Sequence, residues 1–129
     1  MSSFSAISQK NLDQAHPDLQ RLFTRVLELF DCSVICGYRG KDEQDAAYHS
    51  GASQKQFPDS KHNQIPSLAV DVVPFPISWR DTDRMHFFAG VVLGVAAEMK
   101  IKIRWGGDWN GNTILTDQKL HDLPHFELV

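Results

Sequence analysis

The 129-residue sequence has few cysteines, no excess of basic residues and no long apolar run. Its net charge of -3 gives no basic footprint, so we expect no nucleic-acid partner. No apolar stretch approaches the roughly 18 residues of a membrane span, so we expect no stable membrane insertion. The first residues also lack the basic start and apolar run of a secretory signal, which predicts synthesis in the cytoplasm.

The two cysteines, Cys32 and Cys36, lie in the apolar run CSVIC. In a strand their Cα atoms would be about 13 Å apart, which is beyond disulfide reach. We interpret both as reduced core residues, with a CxxxC metal pair as the weaker alternative. The length and the 42% hydrophobic content predict a single globular domain over residues 1–129.

Hydrophobic periodicity predicts helices and strands in alternation along the chain. Apolar residues after Pro17 follow helical spacing to Phe30, and the apolar residues from Met85 to Met99 predict a long core helix. KDEQDAAYHS, closed by Gly51, predicts a further helix, and residues 52–67 predict a loop. The predicted strands are CSVIC, Leu68 to Phe75, IKIRW and HFELV. The expected fold is therefore α+β, with a small antiparallel or mixed sheet and helices packed on one side.

Asp71 stands out because it is one charge inside an apolar strand, and this position needs an explanation. A catalytic zinc usually takes three ligands from His, Asp or Glu and keeps a fourth position open. His62, Asp71 and His125 could supply that set if their strands are neighbours. The alternative is that Asp71 is a solvent-facing strand residue. His16, His49 and His86 are expected to be ordinary surface or core histidines.

Two segments, SKHNQIPSLAVDVVP and DLPHFEL, resemble the paired motifs of the VanY-like (M15) zinc peptidases. The first carries Ser60, His62, Ala69 and Asp71, and the second carries Asp122 and His125. GYRGKDEQ and RWGGDW extend the resemblance over about residues 35–128. It is closest to the small phage L-alanyl-D-glutamate endopeptidase endolysins, because Asp122 stands where the carboxypeptidases usually have Glu. Another departure is the interval before Asp71, where Ile65, Pro66 and Ser67 replace a glycine-containing link.

The resemblance implies a VanY-like fold and a role for each matching residue. His62, Asp71 and His125 would bind Zn²⁺, Asp122 would act as general base and acid, and Arg39 would steady the developing oxyanion. Asp122 must then lie at a turn, which Pro124 favours. Four further residues are candidates for substrate or supporting contacts: Ser60, His121, Asp108 and Trp109. The alternative for Ser60 is a hydrogen bond to its own loop backbone, and the alternative for His121 is a simply exposed side chain. For Asp108 and Trp109 the alternative is a turn that the glycines permit, with the Trp109 ring covering the core.

The function that the resemblance implies is hydrolysis of the L-Ala to D-Glu bond in peptidoglycan stem peptides by a phage endolysin. Such an enzyme would reach the cell wall or periplasm from the host cytoplasm after membrane permeabilisation. We expect a monomer without a separate wall-binding domain. Two alternatives stay open: a D-Ala-D-Ala-type carboxypeptidase with the same zinc site, and a zinc-stabilised, non-catalytic wall-binding or virion domain.

Overall fold

The computed structural model describes residues 2–129 and forms one four-stranded sheet with four α-helices. The strands lie in the order β1-β2-β4-β3, and each neighbouring pair is antiparallel. The expected α+β class is confirmed. The helices are α1 (Ala6–Asp13), α2 (Pro17–Leu29), α3 (Lys41–Ser50) and α4 (Thr82–Glu98), and the strands are β1 (Cys32–Cys36), β2 (Ala69–Pro74), β3 (Ile103–Trp105) and β4 (His125–Leu128).

Local sequence explains where the helices begin and end. Pro17 occupies the first turn of α2, where its missing N–H costs nothing. Gly51 ends α3 with a φ of 83°, a left-handed conformation that favours glycine. One face of α2 is fully apolar and buried, at the spacing of an amphipathic helix. Its buried residues are Leu19, Leu22, Phe23, Val26 and Leu27.

The core lies between α2, α4 and one face of the sheet. Val70 and Val72 of β2 and Phe126 of β4 point into it and are at most 1% exposed. The Phe126 ring packs edge-on against Phe23, with ring centroids 5.5 Å apart. Burying each such side chain contributes about 1.5–3 kcal/mol. Because strand side chains alternate, Asp71 must project from the opposite face.

The structure differs from the sequence-based expectations in detail. Helix α1 was not predicted, and a 3₁₀ turn at Lys61–Asn63 lies within the expected loop. Strand β3 is shorter than IKIRW because Ile101 and Lys102 precede the ladder. Among residues 2–129, none of the helices has the length and apolarity needed to cross a membrane.

Candidate metal centre

Asp71 and His125 meet because β2 and β4 are neighbours. They are directly opposite each other in the antiparallel ladder, so their side chains project from the same face. His125 Nδ1 lies 3.4 Å from Asp71 Oδ1. The side chains of both residues are largely buried, at 9% and 14% exposure. Strand pairing therefore brings together two of the residues that sequence reasoning selected.

His62 reaches the same point from the 3₁₀ turn. The Ser60 hydroxyl caps this turn by accepting a hydrogen bond from the His62 backbone N–H at 3.2 Å. His62 Nε2 lies 3.2 Å from Asp71 Oδ1 and 3.3 Å from His125 Nδ1. The three atoms thus form a nearly equilateral triangle. A tetrahedral ion with bonds of about 2.0–2.1 Å requires donor separations of about 3.3 Å, so the donors fit a metal ion.

The outer nitrogens of both imidazoles have partners that fix their hydrogens. His62 Nδ1 donates to the Gly37 carbonyl oxygen at 2.8 Å. His125 Nε2 donates to Glu127 Oε1, also at 2.8 Å. In the neutral tautomers that these bonds select, the lone pairs of His62 Nε2 and His125 Nδ1 are directed toward Asp71. A histidine that binds a metal commonly has its second nitrogen anchored in this way.

Cys36 borders the centre and is only half-buried. The sequence interpretation had instead placed it in the core. Donor atoms of Cys36, His62 and Asp71 all lie within 4.8 Å of one another, so these residues could also hold a metal ion. A register irregularity between Val34 and Cys36 adds one residue to β1 and turns Cys36 toward Asp71. Cys32 is buried in the core as expected. Cys36 Sγ faces His62 Nδ1 at 3.7 Å, the nitrogen that already donates to Gly37.

The charged side chains of the centre stabilise one another. Burial opposes protonation of His62, but its contacts with Asp71 and Cys36 outweigh burial and raise its pKa to about 10. Burial likewise disfavours the Asp71 carboxylate, yet His125 and His62 hold its pKa well below the usual range. Burial also opposes protonation of His125, whose pKa is nevertheless raised by Asp71 and Glu127. A metal ion that binds here must therefore displace the second proton of His62.

Asp122 lies at the rim of this centre. The expected turn is present, because the His125 N–H donates to the Asp122 carbonyl oxygen at 3.1 Å. Asp122 Oδ2 is 3.9 Å from His125 Nδ1, and its side chain is 35% exposed. Partial burial and the nearby negative charge of Asp71 raise the pKa of Asp122. A carboxylate placed here can reach a solvent molecule and the centre at once.

Arg39 approaches from the segment between β1 and α3. Its Nη2 lies 3.5 Å from Asp71 Oδ2, and its Nη1 donates to the buried Gln44 Oε1 at 3.0 Å. The Arg39 backbone N–H also donates to the His62 carbonyl oxygen at 2.8 Å. The guanidinium therefore lies beside the centre with its orientation held by Gln44.

The four remaining candidates are distributed unevenly. Trp109 packs against His125 with ring centroids 5.3 Å apart. Asp108 is buried and accepts a hydrogen bond from the Thr113 N–H at 2.9 Å, which matches a turn-forming role. Ser60 caps the turn that carries His62, and His121 is exposed. The structure thus places Ser60 at the turn that carries His62 and Trp109 against the ring of His125.

Comparison with known proteins identifies relatives of this chain. A family profile described as phage L-alanyl-D-glutamate peptidase matches residues 1–129. The chain belongs to this family. It is 30% identical to the L-alanyl-D-glutamate peptidase of Escherichia phage T5, over 98% of this chain and 97% of that protein. Its structure resembles the crystal structure of the Serratia marcescens L-Ala D-Glu endopeptidase ChiX, with a TM-score of 0.76 and 33% identity over 98% of this chain and 90% of the other.

Sequence reasoning missed three neighbours of the centre in this member of the phage L-alanyl-D-glutamate peptidase family: Cys36, Gln44 and Glu127. Alternation within HFEL places Glu127 on the same face as His125, so this contact could have been found. The place of Cys36 depends on a bulge, and that of Gln44 depends on how α3 packs. Neither leaves a signal in the spacing of residues.

Proposed function

We propose that this protein is a zinc-dependent endopeptidase that cleaves the L-Ala to D-Glu bond of peptidoglycan stem peptides. The activity stated in the names of the family and of both relatives supports the reaction class. The observation that carries the proposal is the triangle of donor atoms, with separations of 3.2 to 3.4 Å. Two imidazole nitrogens and one carboxylate oxygen are the ligand set of a catalytic zinc.

His62 Nε2, Asp71 Oδ1 and His125 Nδ1 are the proposed ligands. This set is favoured over Cys36, His62 and Asp71 because Cys36 faces the protonated Nδ1 of His62. Three ligands leave one position open, as catalytic sites require. When bound, zinc would supply Lewis-acid chemistry by acidifying a water molecule and polarising the scissile carbonyl.

Asp122 is the proposed general base and acid. Its carboxylate accepts a proton from the attacking water and then donates that proton to the leaving amine of D-Glu. The raised pKa brings Asp122 closer to the pH at which it must both accept and release a proton. Its partial exposure leaves the carboxylate in reach of water.

Arg39 is the proposed partner of the carbonyl oxygen as that oxygen gains negative charge. Gln44 holds one guanidinium nitrogen, so the group is positioned before substrate arrives. The other nitrogen offsets the buried charge of Asp71. We further propose that Trp109, which packs on His125, forms one wall of the substrate cleft.

The proposed cellular role rests on the phage family to which the chain belongs. We propose that the protein is a phage endolysin that acts as a monomer, with residues 1–129 as its catalytic domain. It would be made in the host cytoplasm and would reach the wall after the membrane is permeabilised.

Mass spectrometry of isolated peptidoglycan digested by the zinc-loaded protein tests the reaction. We expect soluble stem peptides that begin at D-Glu, with L-Ala left on the glycan. Release of D-Ala alone would instead assign a carboxypeptidase. If no fragment is released although zinc is bound, a non-catalytic domain would replace the proposal.

A further inference from the structure

Glu127 is a buried carboxylate that the reaction outlined above does not use. It is 7% exposed and lies two residues beyond His125 in β4, so both side chains project from the same face. Its Oε1 accepts the hydrogen of His125 Nε2 at 2.8 Å. An ionised carboxylate offers only acceptors, so it can pair with His125 only while Nε2 carries the hydrogen.

Lys61 and Arg104 neutralise the second oxygen of Glu127. Lys61 Nζ lies 3.3 Å and Arg104 Nη1 lies 3.5 Å from Glu127 Oε2. Lys61 also donates to the backbone carbonyl oxygen of Leu128. A carboxylate buried to this degree is costly unless such partners compensate its charge. The ion pairs therefore keep Glu127 ionised in place beneath His125.

Lys61 also links Glu127 to His62, because Lys61 directly precedes His62 in the chain. Its side chain reaches to β4 while the next residue reaches the metal centre. The Lys61 and Glu127 pair thus joins the 3₁₀ turn that carries His62 to the strand that carries His125. The two histidine-bearing segments are tied together on the side of His125 that faces away from Asp71.

We propose that Glu127, held by Lys61, is a positioning residue that fixes the His125 ring and directs its Nδ1 lone pair toward the metal. This inference rests on the proposed function, in which His125 is a ligand. Neutral imidazole has two tautomers, and the other one would direct an N–H at the ion. The carboxylate selects the tautomer that can bind and makes the ring a stronger donor.

Zinc affinity, measured by competition with a chromogenic chelator, is the first test. We expect Glu127→Ala to weaken binding by about 10- to 100-fold, the range typical of such partners. Glu127→Gln should recover part of the loss, because its amide oxygen can still accept the hydrogen bond. Lys61→Met should have a smaller effect, and the double variant Lys61→Met/Glu127→Ala should bind no more weakly than Glu127→Ala.

Matched controls come from exposed ion pairs elsewhere on the protein. Glu28→Ala removes the partner of Arg25, and Lys41→Met removes the partner of Asp45. Both should leave zinc affinity unchanged. Circular dichroism identifies any variant that fails to fold. If Glu127→Ala does not fold, the conservative Glu127→Gln and Lys61→Met changes still test the inference.

The His125 tautomer gives a readout that a general loss of stability would not change. In the zinc-loaded wild type, ¹⁵N NMR should show a His125 Nε2 hydrogen protected from solvent exchange, and Glu127→Ala should remove that protection. If Glu127→Ala binds zinc as tightly as wild type and retains the protected hydrogen, the inference is wrong while the proposed function stands. A wild-type protein that binds no zinc would overturn both.

Discussion

At the scale of single residues, Asp71 shows why a charge can persist inside an apolar strand. Val70 and Val72 on either side of it face the core, and Asp71 faces two imidazoles and the Arg39 guanidinium. These groups replace the solvation that burial removes. The carboxylate thus stays ionised and can serve as a metal ligand. Single substitutions can distinguish the residues that bind the metal from the residue that transfers protons.

Asp122→Asn separates proton transfer from metal binding. The amide keeps the size of the carboxylate but cannot accept and return a proton, so kcat should fall by about 10²- to 10⁴-fold. Zinc content should not change, because Asp122 lies outside the donor triangle. Hydrolysis of a stem peptide and metal analysis of the same preparation measure both. Asp59→Asn, at an exposed position, is the control; a fully active Asp122→Asn variant would exclude the assigned role.

Cys36→Ser and His125→Ala decide between the two possible ligand sets. If His62, Asp71 and His125 bind the ion, removing His125 should reduce zinc affinity by orders of magnitude. Cys36→Ser should then change affinity little, because the thiol faces the wrong nitrogen of His62. Equilibrium dialysis measures both variants. The opposite ranking would assign the ion to Cys36, His62 and Asp71.

At the scale of elements, the RWGGDW segment holds the Asp122 turn against the sheet. The Gly106 N–H donates to the His125 carbonyl oxygen, and the Gly106 carbonyl accepts from the Asp122 N–H, each at 2.8 Å. A Cβ atom at Gly106 would lie 2.0 Å from the Asp122 carbonyl oxygen. Two segments that are distant from each other in the chain can approach this closely because position 106 has no side chain.

Gly106→Ala should therefore destabilise the fold and displace Asp122. We expect the unfolding free energy to fall by about 1–3 kcal/mol, because the new methyl group forces the backbone at position 106 away from Asp122. The activity of the folded fraction should fall as well. Gly90→Ala is the control, since its Cβ would meet no atom within 4 Å inside α4 and alanine should add about 0.5–1 kcal/mol. Calorimetry and hydrolysis assays measure the effects, and equal melting temperatures for the two variants would contradict the prediction.

The sequence predicted most elements because their hydrophobic periods are strong. Helix α2 follows from the spacing of its five buried apolar residues, and β2 follows from its β-branched run. Helix α1 gave no comparable signal, because only Ser8 and Leu12 are buried in it. The metal centre was selected through motif resemblance. Spacing alone could not show that β2 and β4 are neighbours, since that pairing joins residues more than fifty positions apart.

At the scale of the whole molecule, metal binding should release protons. His62, with a pKa of about 10, is protonated in the metal-free protein at neutral pH, whereas a ligand must be neutral. Zinc affinity should therefore rise as pH increases toward that value. The same raised pKa stabilises the metal-free fold below the ordinary histidine pKa of about 6.5, and this contribution is lost as pH rises toward 10.

Calorimetric titration with zinc in two buffers of different ionisation enthalpy measures the released protons. We expect about one proton or more per bound ion at neutral pH. An apparent binding heat that is the same in both buffers would contradict this expectation. The Asp122→Asn variant is the control. Because its donor triangle is intact, it should release as many protons as the wild type.

The pairing of Asp71 with His125 has a consequence for how the chain folds. A strand that slips by one position turns every side chain to the opposite face of the sheet. Such a slip in β2 would move Asp71 into the core and carry it away from His125 and Cys36 together. Only chains with the correct strand register would then bind zinc, so zinc binding would favour the correct register in addition to supporting catalysis.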